Sequence, residues 1–242
     1  MARTALPGRL TWQLATVVEL VGETYRVRSV VLDAPGWQGH RPGQHVDVRL
    51  TAEDGYQAQR SYSIASAPED ERLDDGEVSP YLTQELRPGD ELELRGPIGG
   101  YFIWDEATAA PPLMLAGGSG VVPFRSVLRH WAAGSRRFVP QLVYSARSLE
   151  DVIYREELDA LARDDGVQLR IALTRSWPED WQGHRGRVDT ELLRTLSFDD
   201  DPLVLICGSN AFVDSVSRTL VDLGRPPERI RTERFGPSGQ AS

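Results

Sequence analysis

Along the first hundred residues, apolar and polar positions change places over short distances. The run 45–50 alternates strictly, and 12–18 and 25–32 are strand-like in the same way. Turn signals separate these runs: Pro35-Gly36, Arg41-Pro42-Gly43-Gln44, Asp54-Gly55, Asp75-Gly76 and Arg87-Pro88-Gly89-Asp90 recur at intervals typical of a small antiparallel barrel. One short helix is expected at 80–86. After Asp105 and an Ala-Pro-rich linker at 107–112 the period changes. Strand-like runs at 138–144, 167–173, 203–206 and 230–235 now alternate with helical patterns at 122–131 and 211–223, and Ser148-Leu149-Glu150-Asp151 reads as a capping box opening a helix to about Arg163. The pattern predicts two domains: an N-terminal six-stranded antiparallel β-barrel at 1–106 and a C-terminal Rossmann-like α/β domain with a parallel sheet at 107–242.

The charge distribution narrows the partners. The net charge is −9, and all 27 basic residues are arginine. A nucleic-acid binder needs a basic face that displaces counterions from phosphates, so that class is excluded. Residues 1–105 carry 17 acids against 10 arginines, whereas 106–242 carry 19 against 17, which makes the second half the better home for an anionic ligand. The single cysteine, Cys207, permits neither a disulfide framework nor an iron-sulfur cluster, and no metal ligand set is assigned. No apolar stretch reaches signal-peptide or membrane-span length, so a cytoplasmic protein without a membrane partner is expected.

Two segments carry chemistry. In Arg60-Ser61-Tyr62-Ser63, a cation and an aromatic ring share one face of a strand while two hydroxyls share the other. In Gly117-Gly118-Ser119-Gly120, an apolar strand stops at a glycine-rich turn and a helix begins, so backbone N–H groups face whatever anion lies there. The spacing departs from the strict G-x-G-x-x-G dinucleotide fingerprint, and the strand-turn-helix context is what recommends it. Cys207-Gly208 closes a third apolar run, where open α/β sheets place ligands.

Taken in order, Arg60-Ser61-Tyr62-Ser63, the stretch from Gly76 through Ser79 to Leu82, Gly96-Pro97-Ile98-Gly99, the glycine turn, Cys207-Gly208 and Glu233-Arg234-Phe235 resemble the ferredoxin-NADP reductase family, flavoproteins that join a flavin barrel to a nucleotide domain. The resemblance covers nearly the whole chain. It implies FAD bound by Arg60 (phosphate), Ser61, Tyr62 (one face of the ring), Ser63 (near the hydride-accepting nitrogen) and Gly76, Glu77, Val78 and Ser79 (pyrophosphate at a helix start), with Phe235 stacked on the face that nicotinamide must occupy. It also implies nicotinamide dinucleotide contacts from Gly118, Ser119, Gly120, Cys207 and Gly208, and catalytic roles for Ser63, Cys207 and Glu233. Ser209, where the family often has proline, is a departure.

Thr174, Arg175, Arg185 and Arg187 fall where the family binds the 2'-phosphate, so NADPH is expected over NADH, with Tyr154-Arg155 as a further contact to the adenosine. The activity implied is a flavin-dependent NAD(P)H reductase feeding a separate acceptor such as ferredoxin. The alternative is an electron-transfer subunit dedicated to an oxygenase or molybdenum enzyme.

Overall fold

The computed structural model describes residues 10–51, 57–70, 73–75, 86–106, 110–198 and 201–235. Gly76, Glu77, Val78 and Ser79, and all but the last residue of the helix expected at 80–86, lie outside the described residues.

Six strands build the first sheet: β1 (Gln13–Gly22), β2 (Arg28–Asp33), β3 (His45–Thr51), β4 (Gln57–Ser63), β5 (Leu73–Asp75) and β6 (Glu91–Ile98). Their order is β4-β3-β6-β1-β2-β5, and every neighbouring pair is antiparallel, as the turn-punctuated pattern predicts. Period-two alternation decides what is inside: Ala15 and Val17, Val30 and Leu32, Val46 and Val48, Tyr62 and Ile64, and Leu92 and Leu94 form one buried cluster. Each fully buried aliphatic side chain there contributes roughly 1.5–3 kcal/mol over leaving it in water.

The second sheet is parallel throughout: β7 (Pro112–Gly117), β8 (Gln141–Ala146), β9 (Gln168–Leu173), β10 (His184–Arg185), β11 (Leu203–Ser209) and β12 (Ile230–Phe235), in the order β10-β9-β8-β7-β11-β12. All six residues of β8 are buried, the signature of a strand covered on both faces. Alternate side chains divide between the faces. Met114, Leu142, Tyr144, Leu205 and Cys207 meet helices α1 (Val122–Ala133) and α2 (Arg155–Asp164), while Leu113, Leu115, Val143, Val204 and Ile206 meet α3 (Thr190–Arg194) and α4 (Asn210–Asp222).

The chain runs outward from β7 through β10 on one side, then returns to lay β11 and β12 on the other. The strand order therefore reverses between β7 and β11, which is where such sheets open a crevice at their C-terminal ends. The two lobes meet in a common buried cluster. Val27, Ala65, Phe102 and Trp104 of the first lobe join Phe124, Val127 and Trp131 of α1 in one cluster, with the Phe102 and Phe124 rings 5.8 Å apart. Among the described residues no helix is long and apolar enough to cross a membrane.

The α2 start differs from expectation. The Ser148 hydroxyl donates to the Asp151 carboxylate at 2.9 Å and closes only a short 3-10 turn. Val152 and Ile153 are then both buried, and Tyr154 adopts a left-handed conformation (φ 59°) before α2 begins at Arg155. The chain is extended at Val152 (ψ 106°) and left-handed at Tyr154, which takes these buried residues out of any helical path continuing from Ser148.

Candidate functional site

On the first lobe, β4 presents the Arg60-Ser61-Tyr62-Ser63 segment at the edge of its sheet. Arg60 is exposed, and its guanidinium donates to its neighbour's carbonyl, Gln59 O, at 2.8 Å. Ser61 donates to Asp47 on β3 at 2.6 Å, and Arg95 on β6 donates to the same carboxylate at 2.5 Å. Burial would raise the Asp47 carboxyl, but the Ser61 hydroxyl and the Arg95 guanidinium outweigh it and hold the group below its usual range. This trio pins three strands in register directly behind the segment. Tyr62 packs into the barrel core.

Ser63 is buried, and its hydroxyl has no hydrogen-bond partner among the described residues. A buried hydroxyl left unpaired costs roughly 1–3 kcal/mol, a cost that a polar group supplied from elsewhere would relieve.

On the second lobe, close backbone approach explains the glycines. A Cβ on Gly120 would stand 2.0 Å from the Cys207 carbonyl oxygen, so the turn from Gly118 to Val121 lies directly on the end of β11. Gly118 takes a left-handed conformation (φ 59°), and a Cβ there would meet nothing within 4 Å. The turn thus presses on the protein on one side and is open on the other. Its N–H groups lead into α1, where the first-turn donors of a helix favour an anion.

Cys207 on β11 is in register with Ala116 on β7 and Glu233 on β12. Burial, and then the charge of Glu233, raise the Cys207 thiol well above its ordinary range. Burial likewise pushes the Glu233 carboxyl up to about 7. Both groups are therefore held uncharged below neutrality, and Glu233 is poised to exchange a proton near pH 7. Ser209 caps α4, accepting from the Phe212 N–H at 3.4 Å, so replacing the family's proline costs the helix start nothing. Phe235 is in register with Ser209 and packs against the buried cluster that holds both Cys207 and Ala65, the latter two residues beyond Ser63.

A cationic group forms at the C-terminal ends of β8 and β9. The Arg175 N–H donates to the Arg147 carbonyl at 2.9 Å, and the Gly186 N–H donates to the Leu173 carbonyl at 2.7 Å. Those bonds set the backbone segments that carry Arg147, Thr174 and Arg175, and Arg185 and Arg187, side by side, with the Arg185 guanidinium donating to the Trp181 carbonyl at 3.0 Å. None of these four arginines has a carboxylate in salt-bridge range among the described residues, although the protein is acidic overall. The exposed indole of Trp177 lies beside them, its ring centroid 5.9 Å from the Arg185 guanidinium.

Tyr154 does not join this group. It is buried, its hydroxyl 3.3 Å from the Ser29 hydroxyl of the other lobe and its ring 4.3 Å beneath the Arg125 guanidinium, because the left-handed turn points it inward. Arg147 is the residue that sequence reasoning passed over; its signal was an arginine directly after the apolar run of β8, the same placement that drew attention to Arg175.

Two family models match the chain: an oxidoreductase FAD-binding domain over residues 16–103 and an oxidoreductase NAD-binding domain over 114–218. Among curated relatives, "Ferredoxin--NADP reductase B" of Sorangium cellulosum is 39% identical over 210 residues, covering 80% of this chain and 84% of that one. "Glycine betaine monooxygenase reductase subunit" of Pseudomonas aeruginosa is 32% identical, covering 94% of this chain but only 66% of that protein's length. Among solved structures, the FAD/NAD-binding domain of nitric oxide dioxygenase from Vibrio cholerae superposes with a TM-score of 0.81 at 23% identity, over 93% of this chain and 99% of that one. A ferredoxin NADP+ reductase from Neisseria gonorrhoeae with bound FAD and NADP superposes with a TM-score of 0.78 at 22% identity, over 92% and 98% of the two chains.

Proposed function

The chain belongs to the ferredoxin-NADP reductase family of two-lobed flavoproteins, and from that premise we propose that it draws reducing equivalents from NADPH in preference to NADH and delivers them to ferredoxin. It is an FAD-dependent NAD(P)H oxidoreductase that passes electrons to a separate acceptor. When bound, the flavin supplies a ring that accepts electrons in pairs from a reduced nicotinamide and releases them singly.

The residues fit such a group. Arg60 is free of any carboxylate among the described residues and offers a planar fork to a phosphate, and the buried hydroxyl of Ser63 awaits a partner. We assign the open side of the turn at Gly118, Ser119 and Gly120 to the pyrophosphate of the dinucleotide, and Cys207, Gly208 and Glu233 to the nicotinamide end. In this reading the protein's share is alignment: it holds the reacting rings in contact, keeps Cys207 as a neutral thiol, and lets Glu233 hold or release a proton at its carboxyl oxygen. Phe235 would lie against the flavin ring, on the side where the nicotinamide would dock. Gly76, Glu77, Val78 and Ser79 remain part of the proposal through the family resemblance alone. We propose the lobe boundary at 106/107, and the cytoplasm as the compartment, where reduced pyridine nucleotides are at hand.

The single observation that supports the NADPH preference is the group Arg147, Arg175, Arg185 and Arg187 at the C-terminal edge of the sheet, without a carboxylate in salt-bridge range among the described residues. A 2'-phosphate is a dianion, and guanidinium forks bind it by charge-assisted bonds. The test is a stopped-flow comparison of the FAD-loaded protein with NADPH and NADH, followed by loss of the flavin's visible absorbance. NADPH should reduce it at far lower concentration, and equal concentration dependence would overturn the preference.

A second reading, an electron-transfer subunit dedicated to an oxygenase, is supported by the likeness to the monooxygenase reductase subunit. Rapid reduction of free ferredoxin favours the first reading, and turnover only with a cognate oxygenase component favours the second.

A further inference from the structure

Helix α1 begins at the glycine turn, and two turns further along it grips the other lobe. Arg129 reaches Asp70 at 3.0 Å, and the His130 imidazole lies 2.7 Å from the Glu69 carboxylate. On its own lobe Arg129 also pairs with Glu157 of α2, at 2.5 Å, as does Arg125 at 2.8 Å. Glu69 and Asp70 sit on a tight turn. The Asp70 carboxylate accepts from the Ala67 N–H at 2.7 Å, and the Asp70 N–H donates to the Ala67 carbonyl at 3.0 Å. That turn continues β4 through Ile64, Ala65 and Ser66, each of them fully buried and so unable to yield independently. His40 holds the same segment, its ring 2.9 Å from the Ser66 carbonyl. A short, stiff path therefore runs from Ser63 to Asp70, across to Arg129, and back along one helix to the turn at 118–121.

We infer that Arg129, held between Asp70 and Glu157, and its neighbour His130, paired with Glu69, are positioning residues that fix the phosphate turn against the flavin strand and so set the approach of nicotinamide to flavin. The inference rests on the reductase reading for its consequence, though not for its geometry. Hydride transfer requires the reacting atoms about 3–3.5 Å apart, and a displacement of 1 Å costs on the order of a hundredfold in rate. The Arg129 and Asp70 side chains are 29% and 35% exposed. A pair so screened adds little to overall stability, so removing it leaves the protein folded while the lobes shift.

The test uses Asp70→Asn and Glu69→Gln in the full-length protein. Asparagine keeps an acceptor for the Ala67 N–H, and Arg129 keeps Glu157. The first measurement is hydrogen-deuterium exchange without flavin or nucleotide. Exchange at 118–121 should rise about fivefold in both variants, although neither residue touches that turn. The second is stopped-flow reduction of the FAD-loaded protein by NADPH, where the limiting rate constant should fall about tenfold while the Kd for NADPH stays within twofold. Unchanged exchange overturns the coupling. A rate constant within twofold of the parent, or a fall matched by an equal rise in Kd, overturns the positioning role. Failure of the reductase reading is distinguishable, because the parent protein would then show no reduction by NADPH while the exchange result stands on its own.

Discussion

Replacing Glu233 by glutamine should make the protein more stable at neutral pH, by an amount that grows with pH over a defined window. In the native protein burial holds the carboxyl's midpoint at about 7, against 4.5 in an ordinary setting. At ~1.4 kcal/mol per pH unit, that displacement corresponds to about 3 kcal/mol. Below pH 4.5 the group is protonated in both folded and unfolded chains and its titration contributes no difference. Between pH 4.5 and about 7 the unfolded chain has released the proton and the native state retains it, so the native state binds more protons and its stability falls as pH rises. Above about 7 both states are ionised and the penalty is constant. Cys207 remains a thiol across this window, since burial and the Glu233 charge both raise it. The assay is urea unfolding of parent and Glu233→Gln, without cofactors, at intervals from pH 4 to pH 8. The stability difference should be independent of pH at the acid end, swing by about 3 kcal/mol towards the variant by pH 7, and then level off. A difference that stays flat across the range would show that Glu233 is solvated in the native state and refute the account of its buried setting.

Three further outcomes are expected. Arg175→Ala combined with Arg187→Ala should raise the KM for NADPH about a hundredfold, taking roughly 1.5–3 kcal/mol for each charged hydrogen bond, and that for NADH less than threefold; equal effects in steady-state kinetics would remove the 2'-phosphate assignment. Gly120→Ala sets a methyl group against the backbone of β11, 2.0 Å from an oxygen that cannot move aside, and should cost at least about 3 kcal/mol or prevent folding of the second lobe; a thermal unfolding midpoint within about 2 °C of the parent would contradict it. Ser63→Ala should slow flavin reduction by NADPH more than it weakens FAD binding, measured by stopped flow and by fluorescence titration, and loss of FAD with an unchanged rate constant would mark Ser63 as structural.

The alternation at 45–50 was enough to mark a strand with Val46 and Val48 on one face, the core face of the barrel, and Asp47 and Arg49 on the other; that Asp47 is nevertheless buried follows from its partners Ser61 and Arg95 on neighbouring strands. The strand-turn-helix at 112–122 was legible for a similar local reason: a glycine cluster between an apolar run and a helical pattern has few conformations open to it. What escaped notice depended on distant partners. Arg147 and Arg175 meet only because β8 and β9 end side by side, a fact of pairing that no window of residues contains. The Ser148-to-Asp151 signature misled because tertiary burial of Val152 and Ile153 overrode a local preference worth about a kcal/mol. Tyr154 was assigned to the nucleotide for want of any local sign that Ser29, 125 residues earlier, would lie across from it.

Cys207 is fully buried beneath the turn that carries Gly120, and burial raises its thiol well above the ordinary range, so thiol-directed reagents should meet little thiolate and react with it slowly. The native protein should thus react with maleimides far more slowly than the chain unfolded in denaturant. A cysteine introduced at any exposed position becomes a unique attachment point, through which a spectroscopic probe, or a tether to an electrode, can be joined without first removing the native thiol.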